Sequence, residues 1–170
     1  MGLPLLVYHG IDERYPHASY RHHKFLLEGA RDLEKEAADM GVDYLLHVSR
    51  KGHRQPVLKL LSEDAAVIVT DLVDLDPWSD WSDAIAKMRT LIEVDAHCVL
   101  PRQVFGRSVD RPFKFKNSTK RMVNARKGVN WPVCDVPITR MSELYDPPFA
   151  PVSAHRELER DGGGAVALSM

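Results

Sequence analysis

The sequence is poor in cysteine, with only Cys98 and Cys134 among 170 residues. Two thiols without CxxC spacing exclude a disulfide scaffold and read as reduced side chains in a cytoplasmic protein. Long apolar runs are missing as well. A spanning helix needs roughly 18 such residues, so no membrane partner is expected. The apolar opening "MGLPLLVYHG" carries no basic residue ahead of it, unlike a secretory signal, and no Ser or Thr of a myristoylation signal. Excess charge is absent: the net charge is −1 and the isoelectric point about 6.7. The chain as a whole therefore does not advertise nucleic-acid or anionic-membrane binding. Neither GxGxxG nor GxxxxGK[ST] occurs, which excludes an ordinary dinucleotide site and a P-loop. Neither HExxH nor CxxC occurs, and no metal site is expected. There are no internal repeats.

What is present suits one globular domain: 44% hydrophobic and 28% charged residues over a length that supports a single core. "LPLLVYH" (3–9) reads as a buried strand, and Ser19 as the N-cap of a helix over 20–40. There Leu26, Ala30, Leu33, Ala37 and Met40 recur at helical spacing, and Gly41 stands where a C′ glycine ends a helix. "VDYLLHV" (42–48) predicts a second strand. Pro56 opens a short helix to about Asp64. "AAVIVT" (65–70) is a third strand, apolar enough for burial on both faces. Pro77 starts a helix to about Arg89, and "LIEV" (91–94) is the fourth strand. Strands alternating with helices predict an α/β fold: a three-layer, mostly parallel sheet with helices on both faces. Residues 1–128 form this domain. A helix is expected over 114–126, and residues 129–170 read as a Pro-rich linker and tail with no regular element.

Ligands of open parallel sheets sit beyond the carboxyl ends of the strands, here 9–19, 49–55, 70–76 and 95–102. The loop "SRKGHR" could meet a phosphate with Arg50, Lys51 and Arg54, although a solvated loop is the default. His22 and His23 open the long helix, but adjacent helical residues point about 100° apart and rarely share a metal. The stretch "LIEVDAHCVLPR" (91–102) offers Asp95, His97 and Cys98. Continued as a strand, it places 95 and 97 on one face and Cys98 on the other, so a Cys–His pair does not converge. By the same parity Val94, Cys98 and Leu100 share an apolar face, and Cys98 is expected in the core. No catalytic residue emerges from spacing alone.

The segments resemble a known family in order and wording. "GLPLLVYHGIDERYPHASYRHHKFLLEGARDLEKEAADMGVDYLLHV" is similar to a strand–helix–strand stretch of the N-terminal domain of photolyases and cryptochromes. The matching residues are Pro4, Leu5, Arg21, Phe25, Leu27, Glu28, Gly29, Gly41 and Leu46. "AAVIVTD" resembles that family's "VVTD" strand, and "IEVDAHCVLPRQV" resembles "VDAHNVVPVWV" of class II-type DNA photolyases. The resemblance runs from about residue 2 to about residue 127. It implies a Rossmann-like light-harvesting antenna domain that holds a pterin or deazaflavin chromophore. A separate helical domain would hold FAD, which donates an electron to a cyclobutane pyrimidine dimer and splits it in a carbon–carbon lyase reaction. The damaged nucleotide flips into the FAD pocket.

In that family one further strand and helix precede the first strand matched here, and the FAD domain follows. The chain is therefore expected to be an incomplete α/β domain, not repairing DNA alone. Its expected partner is an FAD-binding photolyase domain, in the same gene or on a separate chain, with DNA reached only through it. Antenna positions implied by the resemblance are His9 and Gly10 after the first strand and Thr70 and Asp71 after the third. Two other readings are a small nucleotide-binding α/β protein and a chromophore-free interaction module that docks through the basic segment 102–127.

Overall fold

The computed structural model describes residues 2–17, 19–130, 137–141 and 145–159. Cys134 and the tail from residue 160 onward lie outside them. The chain divides into two compact units, residues 1–57 with 136–170 and residues 58–135.

The first unit is a βαβ element closed by a distant segment. Strand β1 (Leu6–Asp12) runs parallel to β2 (Asp43–Ser49), with Leu6 opposite Asp43 and Asp12 opposite Ser49. Helix α1 (Tyr20–Met40) connects them. Ser19 caps it as the sequence predicts: its Oγ accepts from the His22 N–H at 3.3 Å. Gly41 ends it at φ 72°, a left-handed conformation that glycine adopts without a Cβ clash. Ala30 is buried and Leu26 packs against the core, as the spacing predicts. His23, Leu27 and Ala30 point inward, whereas Leu33 and Met40 are exposed.

The core gathers Ile11, Leu27, Ala30, Leu46, Val48 and Ala154. Ala154 opens helix α6 (Ala154–Glu159), in the region expected to hold no element. Six residues coming after a run of prolines carry too few turns to show a helical period. Around α6 the late segment is tied to the βαβ element by its backbone. Leu5 N–H donates to Thr139 O at 2.9 Å, Val152 N–H to Leu46 O at 3.0 Å, and Met141 N–H to Asp43 Oδ2 at 2.6 Å. Phe149 stacks edge-on against Tyr8 and His47, on the opposite strand face from Leu46 and Val48. The segment therefore passes around the free edge of β2 and covers both faces.

The second unit is another parallel pair. Strand β3 (Ile68–Asp71) lies beside β4 (Leu91–Val94), Ile68 opposite Leu91 and Asp71 opposite Val94, with α3 (Trp78–Ala86) between them. Helix α2 (Val57–Asp64) leads in, and Arg89 satisfies its terminal carbonyls by donating to Ser62 O and Glu63 O. Helices α4 (Arg102–Phe105) and α5 (Pro112–Arg126) follow.

A mixed α/β architecture is thus present, with both strand pairs parallel. Among the described residues the strands pair as β1–β2 in the first unit and β3–β4 in the second. Val69, in the strand read as buried on both faces, is exposed, as are Ile92 and Val94.

Candidate functional site

In the second unit, the carboxyl ends of β3 and β4 carry a polar loop. Asp71 ends β3, and its Oδ2 lies 3.8 Å from His97 Nε2, with both side chains more than half exposed. Thr70, beside it, is half-buried. Past Val94 the chain leaves extended geometry and turns around the Asp95 carboxylate. Asp95 Oδ2 accepts the Arg102 N–H at 2.9 Å, and the Cys98 thiol and the Cys98 and His97 N–H groups also point at this carboxylate. The Arg102 N–H, more than any other group, holds the Asp95 carboxyl below the usual carboxylate range. Arg102 also reaches forward to pair with Asp74.

Cys98 is exposed, not in the core as alternation predicts. The parity argument fails because β4 stops at Val94 and the loop bends back on Asp95. The negative charge of Asp95 pushes the thiol upward, so the thiolate is disfavoured where a nucleophile would need it. The constellation Asp95–His97–Cys98 thus builds a turn, with Asp95 as its anchor. A cleft of about 530 Å³ opens beside it, lined by Cys98, Arg102, Phe105, Arg107, Arg111 and Phe115 among others. Sequence reasoning passed over Phe105, Arg107 and Phe115. The visible signal was the interleaving of aromatic and basic residues.

In the first unit, His9 and Gly10 lie inside β1, which continues to Asp12, and so do not flank the strand end as expected. The registration error came from the strand's three final residues, "GID", which look like a loop. His9 Nδ1 is bonded to the Tyr44 hydroxyl at 2.7 Å, and a Cβ on Gly10 would lie 2.8 Å from the Tyr8 hydroxyl. Tyr44 thus engages His9, and Tyr8 lies against the Gly10 backbone. Thr70 and Asp71, at the end of β3, belong to the other unit.

The strand ends themselves hold ion pairs. Asp12 accepts from Arg14 Nε at 3.0 Å, and this bond, the largest influence, holds the carboxyl low. Glu13 Oε1 accepts the Lys51 N–H at 2.9 Å and Arg54 at 2.5 Å. Arg50 is buried against Glu157 in a two-pronged pair with contacts of 2.5 and 3.1 Å. Two of the three cations that could have met a phosphate in "SRKGHR" are therefore engaged internally. That reading falls, because loop composition does not show where each side chain turns.

Three histidines of this unit are held neutral. His23 is 2% exposed, and among the described residues neither ring nitrogen has a hydrogen-bond partner. Burial, then the neighbouring His22, push its pKa down. Burial also lowers His9 and His47. The unfolded chain, with histidines near 6.5, binds protons that these folded groups refuse. Their contribution to stability is fully present above about pH 6.5 and is lost as pH falls from there toward the depressed folded values. Asp12 acts lower, near the carboxylate range, and does not confound this window. Urea unfolding at pH 7.5 and at pH 5.5 is expected to show clearly lower stability at the acid value. Equal midpoints would refute it.

Among the described residues, no group of three or more His, Cys, Asp or Glu is placed to hold a metal ion, and no helix is long and apolar enough to cross a membrane. No family model matches the chain. Over 100 residues, 58% of its length, it is 34% identical to a protein of Methanothermobacter thermautotrophicus. That protein is a deoxyribodipyrimidine photo-lyase. The chain spans 22% of this relative's length. The match supports a relationship to the photolyase family.

Proposed function

We propose that this chain is an α/β part of a photolyase-family protein, related to class II-type enzymes, that works with an FAD-binding domain. The 34% identity over 100 residues to a photolyase carries the reading. The parallel βαβ elements agree with it, and the three-layer, Rossmann-like arrangement suggested by the sequence belongs to the same proposal. In this reading the chain supplies a light-harvesting role, and FAD chemistry and lesion binding reside in the partner domain. An antenna chromophore, a pterin or a deazaflavin, would supply absorption of near-UV or blue light and transfer of that energy. Of the four positions considered for it, Thr70 and Asp71 lie at the carboxyl end of their strand and would bind its polar edge.

The test is direct. The purified chain, given FAD and an oligonucleotide containing a cyclobutane dimer, is expected to repair nothing under blue light. Repair by the chain alone would overturn the division of labour. Titration with a deazaflavin and with a pterin, followed by fluorescence, checks the antenna role. Binding of one of them, weakened by Asp71→Ala, is the expected result, and binding of neither refutes that role.

A further inference from the structure

The second unit concentrates positive charge. Residues 102–127 hold nine Lys or Arg and a single acid, Asp110, in a chain whose net charge is −1. A run of cations is ordinarily a solvated face, so the surrounding geometry decides. Helix α5 buries only Thr119 along fifteen residues. On its wheel Phe113, Lys116, Asn117, Lys120 and Asn124 fall within an arc of about 100°, and all five are exposed. Phe113 is 57% exposed on this otherwise polar strip. The one acid is already engaged, by Lys114 at 2.9 Å and Arg111 at 3.7 Å. Lys116, Lys120 and Arg121 form no ion pair among the described residues.

The adjoining cleft repeats the combination. Arg102, Arg107 and Arg111 line it together with Phe105 and Phe115. The two rings meet edge to face at 5.4 Å, and the Arg107 guanidinium lies 5.2 Å from the centre of the Phe105 ring. Phe115 remains 45% exposed. Cations interleaved with exposed rings are what a single nucleic-acid strand uses: phosphates bind the cations, and unstacked bases find an aromatic face. A duplex keeps its bases stacked and would leave Phe113 in water. An acidic peptide would use the cations alone.

We propose that the α4–α5 surface binds single-stranded nucleic acid without sequence preference, with phosphates on Lys116, Lys120 and Arg107, which form no ion pair among the described residues, and a base on Phe113. This does not rest on the photolyase relationship, and it places a nucleic-acid contact on this chain itself.

The experiment is fluorescence anisotropy of a dye-labelled twenty-nucleotide thymidine strand with the 170-residue chain, repeated across salt concentrations. Binding in the micromolar range is expected at low salt, tighter than to a duplex of equal length, with log K falling linearly against log salt. Lys116→Glu with Lys120→Glu should weaken binding and flatten that slope by about 1.4, the share of two single-strand phosphate contacts. Lys35→Glu with Lys59→Glu makes the same change in net charge on exposed positions elsewhere and should leave the slope unchanged. Phe113→Ala should weaken binding by about tenfold without altering the slope, since stacking releases no counterions. The proposal is overturned by absence of binding at low salt, by equal losses in both charge-reversal pairs, or by tighter binding to the duplex.

Discussion

Glu157→Ala lowers the stability of the first unit by about 3–5 kcal/mol, the usual cost of leaving one buried ion without its partner. Arg50 and Glu157 are 8% and 9% exposed, and the guanidinium meets both carboxylate oxygens. Removing the carboxylate strands a guanidinium, which remains charged at any working pH. The loss therefore exceeds what a surface ion pair would give, about 0–1 kcal/mol. Urea unfolding followed by circular dichroism measures it. The double variant Arg50→Met with Glu157→Leu separates mechanism from geometry. If desolvated charge causes the loss, replacing both ions by apolar side chains restores most of the stability. A Glu157→Ala loss below about 1 kcal/mol would mean that water reaches the pair and solvates it.

Leu27→Ala is expected to cost about 2–5 kcal/mol. Leu27 is 1% exposed and sits where α1 meets Leu46, Val48, Ile11 and Ala154. The cost has two parts, the apolar surface no longer removed from water and the space left behind. Ala30, 0% exposed, is already small, and the two strands are pinned by their ladder, so the neighbours have little freedom to fill the gap. Leu27→Met preserves volume and should cost less than about 1.5 kcal/mol. Equal losses for the two variants would show that the site is sensitive to shape rather than to volume. Either large change removes a substantial part of an ordinary domain's stability of about 5–15 kcal/mol.

Local chemistry was the legible part of this sequence. Ser19 and Gly41 marked both ends of α1 because capping depends on a few neighbouring atoms. Pro56, Pro77 and Pro112 each stand just before or at a helix start. Strand β4 was bounded correctly at Leu91 and Val94. What stayed hidden depends on partners distant in the chain. Whether Arg50 is a ligand for a phosphate or a buried strut is decided by Glu157. The place of Cys98 turned on the loop after β4, which folds back on Asp95 and does not continue the strand's alternation. Thr70, Asp71 and the Asp95 loop lie at strand ends as read from the sequence, whereas His9 and Gly10 lie within β1. The aromatic and basic cleft around Phe105 and Phe115 shows no spacing motif, because a four-residue helix and a tight loop bring its members together.

The pairing of Arg50 with Glu157, 107 residues apart, has a consequence for synthesis. At a translation rate of about 5–20 residues per second, strand β2 waits roughly 5–20 s for the segment that covers its free edge. During that interval β1, α1 and β2 exist without α6, with the guanidinium still in water and the backbone of Leu46 unpaired on that side. The second unit is complete in the chain before the first can close. Of the two, it is the late-closing first unit that offers a nascent strand edge to other chains, and a chaperone or a slowed codon run would act on residues 43–49.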